Sequence, residues 1–249
     1  MKQTVSLVFI MACLLTACSS PTPPPPTETP IPPPTNTPIP PTPTPEPTAT
    51  ATPDPLLFRD DFDGKLNDVW SWTNQDDNFW SLTNNPGWLE IFAGPGGVPD
   101  GSMKNILLQP IPSGNFELET RVQFKPEGNF QIAGLMIYES GANSVIFGRA
   151  FCGACPPKDG YYFDMYFNGQ WGGDHFGTQA PETDTVSLRL RREGSAYTSY
   201  ASTDGIDWQV IGTHTTEMNP GFVGLIAGQA VQSEPSPARF DYFTITALP

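Results

Sequence analysis

Basic side chains are scarce in this chain. Its 249 residues hold 12 Lys and Arg against 26 Asp and Glu, a formal net charge of −14. A field of that sign repels phosphate backbones and anionic headgroups, which argues against nucleic acid as a partner. The chain has only two histidines, His175 and His214, and four cysteines, too few in workable spacing for a zinc site. No apolar run approaches the ~20 residues that a membrane-spanning helix needs. No segment sustains a 3.6-residue period, so helices are not the building elements. No internal repeat of fixed period is present.

Strand-like alternation is abundant instead. The clearest example is Thr185–Gly212, where Val186, Leu188 and Leu190 alternate with Ser187, Arg189 and Arg191. This stretch predicts a three-stranded meander with turns at Glu193-Gly194 and Asp204-Gly205, because Gly tolerates the positive φ of a hairpin turn. Phe116–Phe124 alternates as cleanly, with Phe116, Leu118, Thr120, Val122 and Phe124 on one face. Leu56–Phe62, Phe79–Leu82, Trp88–Phe92, Asn105–Gln109, Gly160–Asn168, Gly221–Ala227 and Ala238–Thr246 supply further strands. Phe130–Tyr138 and Ser144–Phe151 are continuously apolar, as expected of central strands covered on both faces. Many short strands with Gly, Pro, Asn and Asp between them predict an all-β fold, an antiparallel β-sandwich or barrel.

The N-terminal quarter is different. Residues 1–20 form a targeting segment, with Lys2 before the short apolar run Val5–Leu15. Leu15-Thr16-Ala17-Cys18 resembles the lipobox of bacterial lipoproteins, in which the cysteine is lipidated and becomes the new N-terminus. That resemblance implies a bacterial cell-envelope location, with Cys18 holding the chain to a membrane through acyl chains. It places the protein outside the cytoplasmic membrane or at the cell surface. Residues 21–55 hold 17 of the 30 prolines and no Lys or Arg. Proline fixes φ and removes a donor, so this segment is expected to be a disordered, polyproline-like stalk. Residues 56–249 are then the folded domain. Their 11 Lys and Arg against 23 Asp and Glu leave −12, compatible with neutral polysaccharide or bound Ca²⁺.

Within that domain FRDDFDGKL, the W-x-L and G-x-L-x-I pair, AGLMIY, LRLRREGSAYTSYASTDGIDW, GFVGLIA and ARFDYFTI occur in order. Together they resemble the concanavalin A-like lectin/glucanase sandwiches, in particular the C-terminal domain of family 43 β-xylosidases. The resemblance spans residues 56–249. It implies a jelly roll of two curved antiparallel sheets, often with a structural calcium and a concave glycan-binding face. In the resembled families an aspartate on the final strand commonly ligates Ca²⁺ with oxygens from the first strand. Asp241 is the matching residue, expected to share the inward face of Phe243 and Ile245, with Asp61 or Asp60 beside it. The alternative is an Asp241 satisfied by backbone N–H groups or turned out by a bulge. Ser202-Thr203-Asp204-Gly205-Ile206-Asp207-Trp208 resembles the Asp-box turn, a structural element.

Tyr162, Asp164, Tyr166 and Asn168 alternate with Phe163, Met165 and Phe167. With the second row in the core, the first shares the opposite face. Rings beside carboxylate and amide groups there suit a sugar, by stacking and by hydrogen bonds to hydroxyls. Tyr138, Arg149 and Trp171 join them if neighbouring strands pair in order. The plainer alternative is a wet sheet face with β-favouring tyrosines. Cys152-Gly153-Ala154-Cys155 has redox-motif spacing but no βαβ pattern around it, so a local disulfide is expected in an oxidising envelope. Glucanases of the resembled fold carry a Glu-x-Asp-x-x-Glu strand that sets acid and nucleophile ~5–5.5 Å apart. No such strand occurs here, and no catalytic residue is assigned. Non-catalytic binding of polysaccharide or cell-surface glycan is the expected function. The rivals are a glycosidase or lyase, marked by two carboxylates in one groove, and an adhesion domain, marked by a flat apolar patch.

Overall fold

The computed structural model describes residues 55–231 and 234–249. The expectations for residues 1–20, for Cys18 and for all of the proline-rich segment but Pro55 lie outside the described residues.

Among the described residues fifteen strands, numbered in chain order, form two antiparallel sheets packed face to face. The first sheet runs β13 (Gln209–Thr215), β12 (Ala196–Ser202), β11 (Thr185–Glu193), β6 (Phe116–Gln123), β15 (Ser236–Ala247), β4 (Leu89–Ala93) and β3 (Trp80–Ser81), with β1 (Leu56–Asp60) also pairing β15. The second runs β10 (Gln170–Gln179), β9 (Asp159–Phe167), β8 (Asn143–Phe151), β7 (Ile132–Ser140), β14 (Phe222–Gly228), β5 (Ile106–Pro110) and β2 (Ser71–Thr73). This is the expected all-β sandwich. Its main core lies between the sheets, where Leu118, Val122, Val186, Leu188, Leu190 and Phe243 meet Leu135, Ile137, Phe147, Phe163 and Leu225. Phe116–Phe124 and Thr185–Glu193 alternate as their sequence predicts.

The two sheets differ on their outer faces. The first is closed by charge: Arg189 pairs with Glu117 and Glu119, Arg191 with Glu117, and Tyr242 Oη donates to Glu119. The second carries another apolar layer, in which Met136, Ile146, Ile132 and Ile226 pack under Val98 and Met103 from the loop after β4. Alternation sends Leu135 and Ile137 to the core and Met136 outward. That double burial is why β7 and β8 lack a polar row.

Local chemistry corrects several expectations. β9 ends at Phe167, and Asn168 and Gly169 form a two-residue hairpin turn with φ of 53° and 73°. Positive φ at both positions is the primed turn that Asn-Gly favours, so Asn168 leaves the strand face. After β11 the turn residues are Gly194 and Ser195, one position later than expected. The Asp204-Gly205 connection is longer than a tight hairpin, because β12 ends at Ser202 and β13 begins at Gln209. There Asp204 Oδ1 accepts from the N–H groups of Ile206 and Asp207 at 2.8 and 2.9 Å. Arg189 stacks on the Trp208 ring 3.8 Å from its centroid. The register of β15 on β6 shifts between Phe240 and Tyr242. Asp241 is the extra residue of that bulge, so it turns outward to Arg121 Nη1 at 3.3 Å rather than sharing the inward face of Phe243. β2 and β10 were not anticipated, because β2 has three residues and β10, QWGGDHFGTQ, carries three glycines and no apolar alternation.

Candidate functional site

On the outer face of the second sheet lies a groove of about 700 Å³. Ile132 of β7 and Ala150 of β8, partners in register, line its floor. One wall is β9 and β10. Tyr161, Phe163 and Met165 point into the main core, while Tyr162, Asp164 and Tyr166 point into the groove. Trp171 lies opposite Tyr166 in register. A bulge between Gly172 and Phe176, with Gly173 at φ 74°, then brings His175 to the same face.

These side chains form one cluster centred on Asp164. Its Oδ1 accepts from Trp171 Nε1 at 3.2 Å and from His175 Nδ1 at 2.7 Å. The His175 ring lies 4.9 Å from that of Tyr162 and 5.2 Å from that of Trp171. Tyr166 Oη donates to Gln229 Oε1 at 3.2 Å, tying this wall to the segment after β14. Tyr162 is 3% exposed, and its hydroxyl has no hydrogen-bond partner; neither has His175 Nε2. Buried polar atoms without partners cost stability, and here both belong to side chains that line a groove. Trp171 is 58% exposed, a ring presented to solvent. Burial pushes the Tyr166 hydroxyl up to about 12. Burial, with Asp164 and Asp159 nearby, also raises that of Tyr162. Both are therefore neutral donors at physiological pH.

The hydrogen bond and charge of Asp164 hold the His175 imidazole above its ordinary 6.5, against the opposing effect of burial. A folded-state pKa above the unfolded value stabilises the fold fully below the unfolded pKa, and that contribution fades as pH rises through the folded one. The cluster is thus expected to loosen as pH rises from 6.5 through the raised value. Proton NMR of the two histidine rings should show His175 titrating above 6.5 in the native chain. It should titrate lower in Asp164→Asn; an unchanged midpoint there would remove the ion pair as the cause.

The opposite wall comes from the segment joining β8 to β9, the entry to β7 and the segment after β14. Cys152 and Cys155 are joined by a disulfide with a Cα–Cα distance of 5.2 Å, and both line the groove. The loop Gly96–Asp100 completes the rim. Asp100 turns into its own loop, where Ser102 N and Oγ donate to it at 2.9 and 2.6 Å and hold its pKa below the ordinary value.

Of the sequence-predicted residues, Tyr162, Asp164, Tyr166 and Trp171 come together in the groove. Tyr138 lies on the same outer face but outside it. Asn168 is in the hairpin turn, where its N–H donates to Asn143 Oδ1. Arg149 is a correction: it lies opposite Tyr161 in register, on the core-facing side, only 2% exposed, and ion-paired with Asp159. It cannot read ligand hydroxyls in the groove. His175 and Gln229 were missed. His175 reaches the site only through the bulge, whose one sequence signal is the Gly172-Gly173 pair.

The aspartates expected at a calcium site do not fit one as placed. Asp61 pairs with Arg59, and Asp241 with Arg121. Asp60 is buried with its oxygens taken by Phe62 N, Asn67 N and Trp70 Nε1 at 2.8–3.0 Å. Among the described residues no group of three or more His, Cys, Asp and Glu side chains is arranged to hold a metal ion.

Residues 59–246 match the family model of the β-xylosidase C-terminal concanavalin A-like domain. Among solved structures, a family 43 protein from Bacillus licheniformis superposes with a TM-score of 0.68 at 22% identity, over 76% of this chain and 39% of its own. A xylan β-1,4-xylosidase from Bacillus halodurans gives 0.65 at 22% identity, over 82% of this chain and 41% of its own. A functionally uncharacterised protein from Mycobacterium paratuberculosis gives 0.53 at 13% identity, over 76% of this chain and 99% of its own. The chain thus spans about two fifths of the two Bacillus proteins. No curated protein matches it in sequence. With the family model covering most of the chain, and both sheets in place, the protein belongs to the family of β-xylosidase C-terminal concanavalin A-like domains.

Proposed function

We propose that this domain binds polysaccharide or cell-surface glycan without catalysis, in the groove over β9 and β10. The observation that carries the reading is the Tyr162–Asp164–Tyr166–Trp171–His175 wall. An exposed indole is fixed beside a carboxylate and two neutral tyrosines. Such a wall offers a stacking surface and hydrogen-bonding groups side by side, the two things a sugar ring needs. Charge argues against an anionic ligand: Asp100 and Asp164 line the groove, and among the described residues no Lys or Arg does.

Two carboxylates in one groove also describe many glycosidases. A glycosidic general acid must be kept protonated by its surroundings. Here Asp100 is turned into its own loop by the Ser102 donors, and Asp164 is engaged by Trp171 and His175, which favours binding over hydrolysis. Calorimetric titration of the full chain, carrying Cys18→Ser to prevent acylation, against a panel of neutral and acidic polysaccharides tests the proposal. Micromolar to millimolar affinity for a neutral member is expected, weakened at least about tenfold by Trp171→Ala, which is about 1.4 kcal/mol. Absence of binding across the panel, or an unaffected Trp171→Ala, refutes it.

We propose further that Cys18 carries the lipid and that residues 21–55 hold the domain away from a bacterial membrane. The sequence pattern supports this part. Incorporation of labelled palmitate in a bacterial host, abolished by Cys18→Ser, is its expected signature.

A further inference from the structure

The groove is not uniform. Facing the polar wall is an apolar corner made of Phe130, Ile132, Phe151, Val231 and the Cys152–Cys155 disulfide. These residues come from three separate segments, but backbone bonds lock them into one surface. Phe130 N donates to Phe151 O at 2.7 Å, Phe151 N to Gln131 O at 3.1 Å, and Val231 N to Asn129 O at 3.0 Å. Asn129 Oδ1 also accepts from Gly153 N at 2.6 Å, inside the disulfide loop. Phe130 is 45% exposed and Val231 55%. Phe130 holds φ at 64°, a conformation unusual for a bulky side chain, at the mouth of this corner.

A bare sugar does not fill such a place well. Hydroxyls pressed against Phe130, Val231 and the disulfide would lose water and gain no partner. An apolar substituent on the ring gains there what a hydroxyl loses. Building on the glycan-binding reading, we infer that the groove selects neutral sugars bearing an acyl ester, with the ring on the Tyr162–Trp171 wall and the acyl group in the apolar corner.

The test uses paired ligands on the full Cys18→Ser chain: O-acetylated xylan and glucomannan fragments, each before and after mild saponification. Burying one methyl is expected to tighten binding about fourfold per accommodated acetyl, and butyryl esters should gain about threefold to fourfold for each further methylene until the corner is full. Phe130→Asn, whose new side chain tolerates the positive φ, and Val231→Ser should bring the ratio between acetylated and saponified ligand toward one. Equal affinity for both forms in the native chain would overturn the acyl inference and leave glycan binding intact. Binding of neither form, with no binder across the wider panel, would overturn the reading beneath it.

Discussion

Asp159→Ala is expected to destabilise the fold by about 3–5 kcal/mol, the usual cost of stripping one partner from a buried ion pair. The reason is an asymmetry. Arg149 is fully buried at the end of the sandwich, while Asp159, at the start of β9, is half-exposed. Asp159 Oδ2 accepts from Arg149 Nη2 at 3.0 Å and its Oδ1 from Nη1. The remaining acceptor near the guanidinium is Gly160 O at 3.5 Å, and Arg149 Nε has none. Removing Asp159 therefore leaves a charge in the core with almost no partner. Removing Arg149 leaves a carboxylate that water reaches, so Arg149→Met should cost less than Asp159→Ala. The double variant Arg149→Met with Asp159→Leu should recover most of the loss, because matched apolar groups replace a buried pair at little cost. Urea unfolding of the three variants orders them. If Arg149→Met proves the costlier single change, the burial asymmetry is not what sets the energetics.

The same arginine shows how far the sequence could be followed. Strand alternation was legible wherever a strand kept strict period two, as in β6, β9 and β11. It divided Tyr162, Asp164 and Tyr166 from Phe163 and Met165 correctly, but Phe167, expected in the same buried row, lies exposed at the end of β9 beside the hairpin turn. What alternation cannot supply is the register between strands. Arg149 falls opposite Tyr161, not Tyr162, and that single step sends it to the other side of the sheet. Bulges erase the signal in a similar way. One extra residue at Asp241 reverses its facing relative to Phe243, and the longer bulge in β10 delivers His175 to a groove that no periodicity announces. The Asn168-Gly169 turn is a different failure, since that dipeptide is itself a hairpin signal and closes the strand before the asparagine can use its face. Fold class was thus written in local pattern, while the groove depends on register, bulges and loops, which are tertiary properties.

Gly148→Ala should be damaging in both stability and binding. An added Cβ would lie 2.4 Å from Ala133 O, 2.8 Å from Ala133 C and 2.9 Å from Ile132 Cγ1. Two of those atoms are backbone of the neighbouring strand, so no side-chain rotation relieves the contact. Gly134, its register partner, is as confined: a Cβ there would lie 2.1 Å from Phe147 O. The two glycines let β7 and β8 approach in a way that side chains forbid, and Tyr162 of the groove wall is the next residue in the same cross-strand row. Forcing the strands apart is expected to cost about 3 kcal/mol, the upper part of the range for overpacked cores. It should also displace β9 and, with it, Tyr162, Asp164 and Tyr166. Glycan affinity should therefore fall by at least about tenfold even at temperatures where the variant is fully folded. A Gly148→Ala protein that is folded, and binds its ligand as the native chain does, would mean that strand separation at this point does not govern the geometry of the groove wall.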